Sequence, residues 1–288
     1  MRPGLGYFLF FTPALVLFLI FFVIPLGMGV YYSMTNWNGY SLTYQFVGLD
    51  NYVKILQDSR FMKATGFTLY YTVLVVVLRL AIALVLALLL NGNFAFRSLI
   101  RSVYFFPAVL SMITVGLIFN EIYYAVVPSI GKALGIEALS KNILGNAQTA
   151  IYGIVFTNVW QGVAVPMVIF LAGLTSVPKD LLEAATIDGA SPMQRFFSVT
   201  LPFLIPVLMV NAVLAIKGGL TVFDYIVALT DGGPGRATES MGYLIYRQGM
   251  QENKFGYATA ESIYVFGLIL IISLIQIRLL SRKEAGQL

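Results

Sequence analysis

Six stretches of mostly apolar sequence, each near the length a helix needs to cross a bilayer, constrain this chain more than anything else in it. A spanning helix takes about 20 residues at 1.5 Å per residue to cross a hydrocarbon core roughly 30 Å thick. Five runs meet that requirement plainly: Phe8 to Tyr31, Phe67 to Leu90, Val103 to Ile122, Ala150 to Leu174 and Ile263 to Leu280, each apolar all round rather than along one stripe. The sixth, Phe203 to about Val222, is clean only as far as Ile216 and then meets Lys217-Gly218-Gly219. The expected fold is therefore all-α and integral to the membrane, with six transmembrane helices and both termini on one side.

Composition agrees. Of 288 residues, 59% are hydrophobic and 11% charged, about half the charged share of a soluble domain. The net charge of +5 comes from scattered bases, not from the clustered Lys/Arg face that nucleic acid requires, so no nucleic-acid partner is expected. The chain has no cysteine and no histidine, which removes disulfides, Cys/His metal sites and every Ser/His/Asp or Cys/His catalytic arrangement. No metal site, catalytic residue or cofactor is expected in it.

Arg2 precedes the first run as it would in a cleaved signal peptide. The apolar core is too long for one and no Ala-x-Ala-like site follows, so the segment is expected to remain as an anchor. Residues 1–66 are expected to form the first transmembrane helix and its outer connection, and 67–288 a transmembrane core carrying a loop at 175–202.

Six spans divide the charges unevenly. The side holding the termini receives eight bases (Arg2, Arg97, Arg101, Lys179, Arg195, Arg278, Arg282, Lys283) and four acids on short segments. The opposite side receives nine bases and nine acids on connections about twice as long, with Arg79 left inside the second span. Base density thus favours cytoplasmic termini, although the absolute counts do not.

The loop between the fourth and fifth runs is written as helix, turn and helix. Pro178 suits the first helical position, and Asp180 and Glu183 place negative charge in the first turns, where the helix dipole favours it. Asp188-Gly189 should end that helix, and Ser191-Pro192-Met193-Gln194 reads as a capping box opening the next. Leu181, Leu182, Ala184, Ala185 and Ile187 would leave a surface of small and apolar side chains in water. Such a surface calls for something to pack against it.

Glu183-Ala184-Ala185, Gly189 six residues after Glu183, Val199 ten further on and then Leu201-Pro202 resemble the EAA loop of ABC-transporter permease subunits, EAA-x3-G-x9-I-x-LP, with Val199 in place of Ile. Trp160-Gln161-Gly162, Leu171-Ala172-Gly173-Leu174, Asp188-Gly189-Ala190, Phe223-Asp224 and Gly232-Gly233-Pro234-Gly235 narrow the resemblance to carbohydrate-importer permeases of the maltose and glycerol-3-phosphate type. The similarity covers essentially the whole chain. It implies the type I importer permease fold and a cytoplasmic coupling helix, with Glu183, Ala184, Ala185, Asp188 and Gly189 at the surface that docks on an ATP-binding subunit.

The resemblance further implies an inner-membrane assembly with a second permease subunit, two ATP-binding subunits and an extracytoplasmic solute-binding protein. A sugar or oligosaccharide would move to the cytoplasm by alternating access. The chain itself contains no G-x4-G-K-[ST] phosphate loop, so ATP hydrolysis would belong to a separate chain.

Polar groups inside spans mark a solute path or an interhelical hydrogen bond. The candidates for a path are Asn158, Gln161, Gly162, Asn211, Lys217 and Gly218. Asn158 and Gln161 stand about one turn apart and can share a face, and Gly162 would let a solute approach the backbone. Lys217 to Gly219 either lines a cavity or ends the helix. Arg79 either faces a partner or a wet vestibule, or pairs with an unidentified acid.

Other readings weigh less. Another solute, such as a glycerophosphodiester or a polyamine, fits the same class. An integral-membrane enzyme would have to use Asp224, Asp231, Glu239 or Glu261, which no spacing holds together. A proton-coupled carrier would want acids inside the spans, where essentially none is expected.

Overall fold

The computed structural model describes residues 3–92 and 95–284; Arg2, which entered the charge count, lies outside the described residues. Among the described residues five helices are long and apolar enough to cross a membrane: Phe10–Ser33, Ser59–Asn91, Met112–Leu134, Pro192–Leu220 and Phe255–Gln276. The bent pair Ala150–Gly162 and Ala164–Thr175 meets the same requirement when taken together, and counted as one span it makes six. Among the described residues the only β pairing is a single bridge between Thr35 and Phe46.

Several boundaries differ from those expected, each for a local reason. The run Val103 to Ile122 is not one helix. Arg97–Val109 ends at an extended Leu110, and a new helix, Met112–Glu121, starts after an extended Ser111 and continues through a π-helical turn to Leu134. The fourth span, expected straight, bends by 46° at Val163. Pro166 supplies the reason, because it lacks an N–H and its ring crowds the carbonyl four residues back, at Gly162.

The fifth span is the converse case. No break occurs at Lys217-Gly218-Gly219, since Leu201–Leu220 is one helix of 20 residues, about 30 Å long. Gly219 serves close packing instead: a Cβ there would lie 2.8 Å from the Thr72 side chain of the second span. The sixth helix starts at Phe255 rather than Ile263 and so takes in Glu261, whose side chain is fully buried. The expectation of essentially no acid within the spans is corrected by that residue and by Glu121, which lies within Met112–Leu134.

Three of the four π-helical turns among the described residues, Leu19–Val23, Ile122–Val126 and Phe196–Thr200, end two residues before a proline: Pro25, Pro128 and Pro202. A proline denies its carbonyl partner a hydrogen bond, and the widened turn is how the helix absorbs the mismatch without breaking.

Contacts group the chain into two compact units. One comprises residues 1–62 and 244–270. In it Trp37 stacks on Tyr32 (centroids 4.5 Å apart) and meets the edge of Phe255 at 5.1 Å, while the Gly256 N–H donates to the Trp37 carbonyl at 2.7 Å. The buried Asn51 amide donates to the carbonyls of Ser33 and Thr35 at 2.8 and 2.9 Å, closing the connection after the first span.

The other unit comprises 63–243 and 271–288. One core cluster joins Tyr71 and Val75 of the second span to Phe119, Ile154, Val159, Ile226 and Tyr243. A second joins Ala83, Ala87 and Leu90 to Val163, Met167, Phe170 and Leu204. The short helix Asp224–Leu229 lies along Met112–Glu121; Ala228 leaves no room for a side chain at Gly116, and the Asn120 amide donates to the Leu229 carbonyl at 2.6 Å. That contact brings Asp224 and Tyr225 to the interior of the unit.

Candidate functional site

Two features of this second unit stand where function was expected: a polar cavity among the spans and the hairpin between the fourth and fifth.

The cavity, about 350 Å³, is lined by Asn158, Gln161, Gly162, Asn211 and Gly218, five of the six path candidates, together with Arg79, Asp224 and Tyr225. Lys217 does not line it and is exposed at the end of its helix. The polar side chains are not free ends waiting for solute. Arg79 donates to the Asn158 side-chain oxygen and to its backbone carbonyl. Gln161 donates to the Leu110 carbonyl at 2.9 Å and accepts from the Tyr225 hydroxyl at 2.7 Å. Leu110 is the residue at which the third apolar run breaks, so Gln161 satisfies a carbonyl that the broken helix releases.

At Gly162 a Cβ would collide with the Arg79 guanidinium, so the glycine admits an arginine of this same chain at the cavity wall. Two polar atoms at the cavity remain without a partner: the Arg79 Nε–H and the Asn211 Oδ1, whose amide nitrogen makes a long 3.5 Å bond to the Pro166 carbonyl. One is a donor and the other an acceptor, the pair a hydroxyl can serve in both directions. No acid forms an ion pair with Arg79 among the described residues. Sequence reasoning left Tyr225 out altogether, because its role depends on a short helix folding back against the third span.

The hairpin follows its chemistry closely. The helix runs Lys179–Ile187, with Pro178 as its N-cap rather than its first residue. Asp188 is the C-cap and Gly189 takes φ +77°. The Gly189 N–H donates to the Thr186 carbonyl at 3.1 Å and the Ala190 N–H to the Ala185 carbonyl at 2.9 Å, a Schellman closure. The Ser191/Gln194 capping box is complete, and Arg195 donates to the Thr186 hydroxyl at 2.6 Å, tying the two arms together. Glu183, Ala184, Asp188 and Gly189 are exposed and Ala185 is half-buried; Ile187 is 86% exposed. From Pro192 the second arm continues without interruption to Leu220, so hairpin and fifth span are one rod.

A multi-pass helical protein with a polar cavity lined by its spans, and an exposed hairpin continuous with one of them, has the architecture of a membrane transport component. Residues 79–284 match the family described as "Binding-protein-dependent transport system inner membrane component", and the chain belongs to that family. It is similar to the multiple sugar-binding transport system permease protein MsmF of Streptococcus mutans, 42% identical over 96% of this chain and 95% of that one. It is 32% identical to the sn-glycerol-3-phosphate transport system permease protein UgpA of Yersinia pestis, covering 99% of each. Among solved structures, a bacterial ABC transporter for import of the acidic polysaccharide alginate shares the fold, with a TM-score of 0.83 at 24% identity over 98% of this chain and 96% of that one. The chain is thus a multi-pass ABC-transporter permease of the sugar-transport group and a transport subunit, not an enzyme; hydrolysis of ATP falls to separate subunits.

Proposed function

We propose that this permease carries a sugar or oligosaccharide into the cytoplasm by alternating access, driven through the hairpin at Lys179–Ile187. The observation that carries the reading is the continuity of Pro192–Leu220: the hairpin's second arm and the span that brings Asn211 and Gly218 to the cavity are one helical body. A partner that moves the hairpin therefore moves a cavity wall.

Glu183, Ala184, Ala185, Asp188 and Gly189 form the docking surface for an ATP-binding subunit, the exposed small residues allowing close approach and the two carboxylates setting its charge register. The assembly contains a second permease, two ATP-binding subunits and a solute-binding protein at the outer connections, surrounded by lipid. Both termini lie in the cytoplasm, as the density of bases on the short segments favours. The chain works without a cofactor of its own. A carbohydrate as solute is supported by the name of the 42% identical relative and by the amide-rich cavity with its unmatched donor and acceptor.

Reconstituted importer carrying Glu183→Lys is the test. The substitution touches no span and strains no backbone, so the variant should insert normally yet lose solute uptake and solute-stimulated ATP hydrolysis. Uptake at the wild-type rate, with the ATP-binding subunit co-purifying at normal stoichiometry, would sink the coupling role.

A further inference from the structure

The unit formed by 1–62 and 244–270 contains a cavity of its own, about 580 Å³, which shares no lining residue with the one around Arg79. Its volume falls within the roughly 300–1,000 Å³ of small-molecule sites. Its wall is built from the connection after the first span and the segment leading into the sixth.

The charged groups that line it already have partners. Lys54 pairs with Asp50 at 2.6 Å, while Arg60 and Lys254 both hold Glu252, at 2.8 and 2.9 Å. Asp58 accepts from the Tyr257 hydroxyl at 3.1 Å and from the Arg60 N–H at 2.8 Å. A free anion or cation would have to break these pairs to bind. No group of three or more His, Cys, Asp or Glu among the described residues could hold a metal ion.

What the cavity offers instead is neutral. Gln248 lines it, is 3% exposed, and its Oε1 has no hydrogen-bond partner. A buried amide oxygen left unsatisfied is destabilising, and a ligand hydroxyl would satisfy it. The residue sits in the π-helical turn Arg247–Gln251, the one such turn among the described residues with no proline following it. Without a proline to impose it, the widened turn is of the kind that recurs at functional sites.

Asn253 lines the same cavity at φ 54°, a left-handed conformation that asparagine tolerates better than most residues. Trp37 lines the same cavity, fixed in place by Tyr32, Tyr44, Phe255 and a hydrogen bond from its indole N–H to the Ser41 carbonyl at 2.9 Å. An aromatic residue held in place, in one wall with amides that both donate and accept, suits a sugar ring, with its apolar C–H face and its rim of hydroxyls.

We propose that this cavity is a second saccharide site, taking a neutral sugar against Trp37 with Gln248 and Asn253 as its hydrogen-bonding groups. Its residues belong to the segments between the first and second spans and before the sixth, which lie opposite the termini in the sequence topology. The proposal rests on the carbohydrate-importer reading but is measured without transport.

The chain has two tryptophans, so Trp160→Phe leaves Trp37 as the only one. The Trp160→Phe chain in lipid nanodiscs, titrated with raffinose and maltotriose, should show a saturable change in emission for at least one of them. Asn253→Gly keeps the backbone relaxed at positive φ and deletes only the amide, and Gln248→Leu removes the orphaned oxygen; each should raise the apparent Kd about tenfold. Silence with both sugars, a Kd unchanged in both variants, or an equal response to glycerol 3-phosphate would overturn the site. Sugar uptake by the assembled importer with Trp37 silent would overturn this site alone, whereas neither uptake nor binding of any sugar would overturn the carbohydrate reading with it.

Discussion

The Arg79 guanidinium fills the space that a side chain at Gly162 would need, and holds the carbonyl and the amide oxygen of Asn158 one turn earlier. Second and fourth spans are thereby joined at the bend above Pro166, by a charged group against a residue that has no side chain. A substitution at either position changes the surroundings of the other.

Gly162→Ala should expel the guanidinium from its seat, lowering the thermal stability of the purified permease and reducing solute uptake. Arg79→Ala should remove the collision, so the double variant should be more stable than the two single losses added together predict. A coupling of about 0.5–3 kcal/mol is the range for residues in direct contact. Strictly additive losses in a thermal-unfolding cycle would show that the two positions are independent.

Gly189→Asp should act on the hairpin in two ways. It places a side chain at φ +77°, at a cost of about 1 kcal/mol or more, and it sets a second carboxylate beside Asp188. Insertion should be normal, while co-purification of the ATP-binding subunit falls and uptake is lost. Gly189→Asn, which tolerates a left-handed backbone and carries no charge, should retain more activity. Equal activity of Asn and Asp variants would exclude the charge contribution.

Topology can be read by labelling, because the chain has no cysteine. Single cysteines at Asn38 or Gly235 should react with a membrane-impermeant maleimide in spheroplasts, and one at Lys179 should not. The reverse pattern would put the hairpin outside the cytoplasm and end the coupling assignment.

Arg60, and next Lys254, hydrogen-bonded to Glu252 hold its carboxyl well below the usual range, at about 2. A carboxylate whose pKa is depressed in the folded state stabilises the fold fully above its unfolded pKa, about 4.3, and ceases to do so as the pH falls through its folded value. The stability difference between the wild type and Glu252→Gln should therefore be present at pH 6, shrink below about pH 4 and vanish near pH 2. Melting curves over that range check it, and a difference that does not vary with pH would mean that the three-residue cluster acts by packing.

The features written in contiguous sequence were legible from it. Six apolar runs of spanning length demand a membrane, since nothing else solvates them, and the hairpin at Lys179–Ile187 is set by neighbours a few residues apart: a dipole-matched first turn, a glycine at the left-handed cap and a serine–glutamine box. Five of the six proposed path residues line one cavity because polarity within a span has few places to go. Lys217 does not, since a long side chain in the last turn of a helix can reach the surface.

The contacts that give the cavities their chemistry were decided only by tertiary structure. Gln161 meets the Leu110 carbonyl across 51 positions and Arg79 meets Asn158 across 79. No periodicity encodes such distances, which depend on where a proline bends the fourth span and where an extended Leu110-Ser111 pair breaks the third. Trp37 and Gly256 are joined in the same way, by a backbone hydrogen bond between the connection after the first span and the start of the sixth. Composition and local turn chemistry act through neighbours in sequence and fix that the chain crosses a membrane; the pairing of one buried polar group with another is a property of the packed spans, where a donor shielded from water finds its acceptor within the protein.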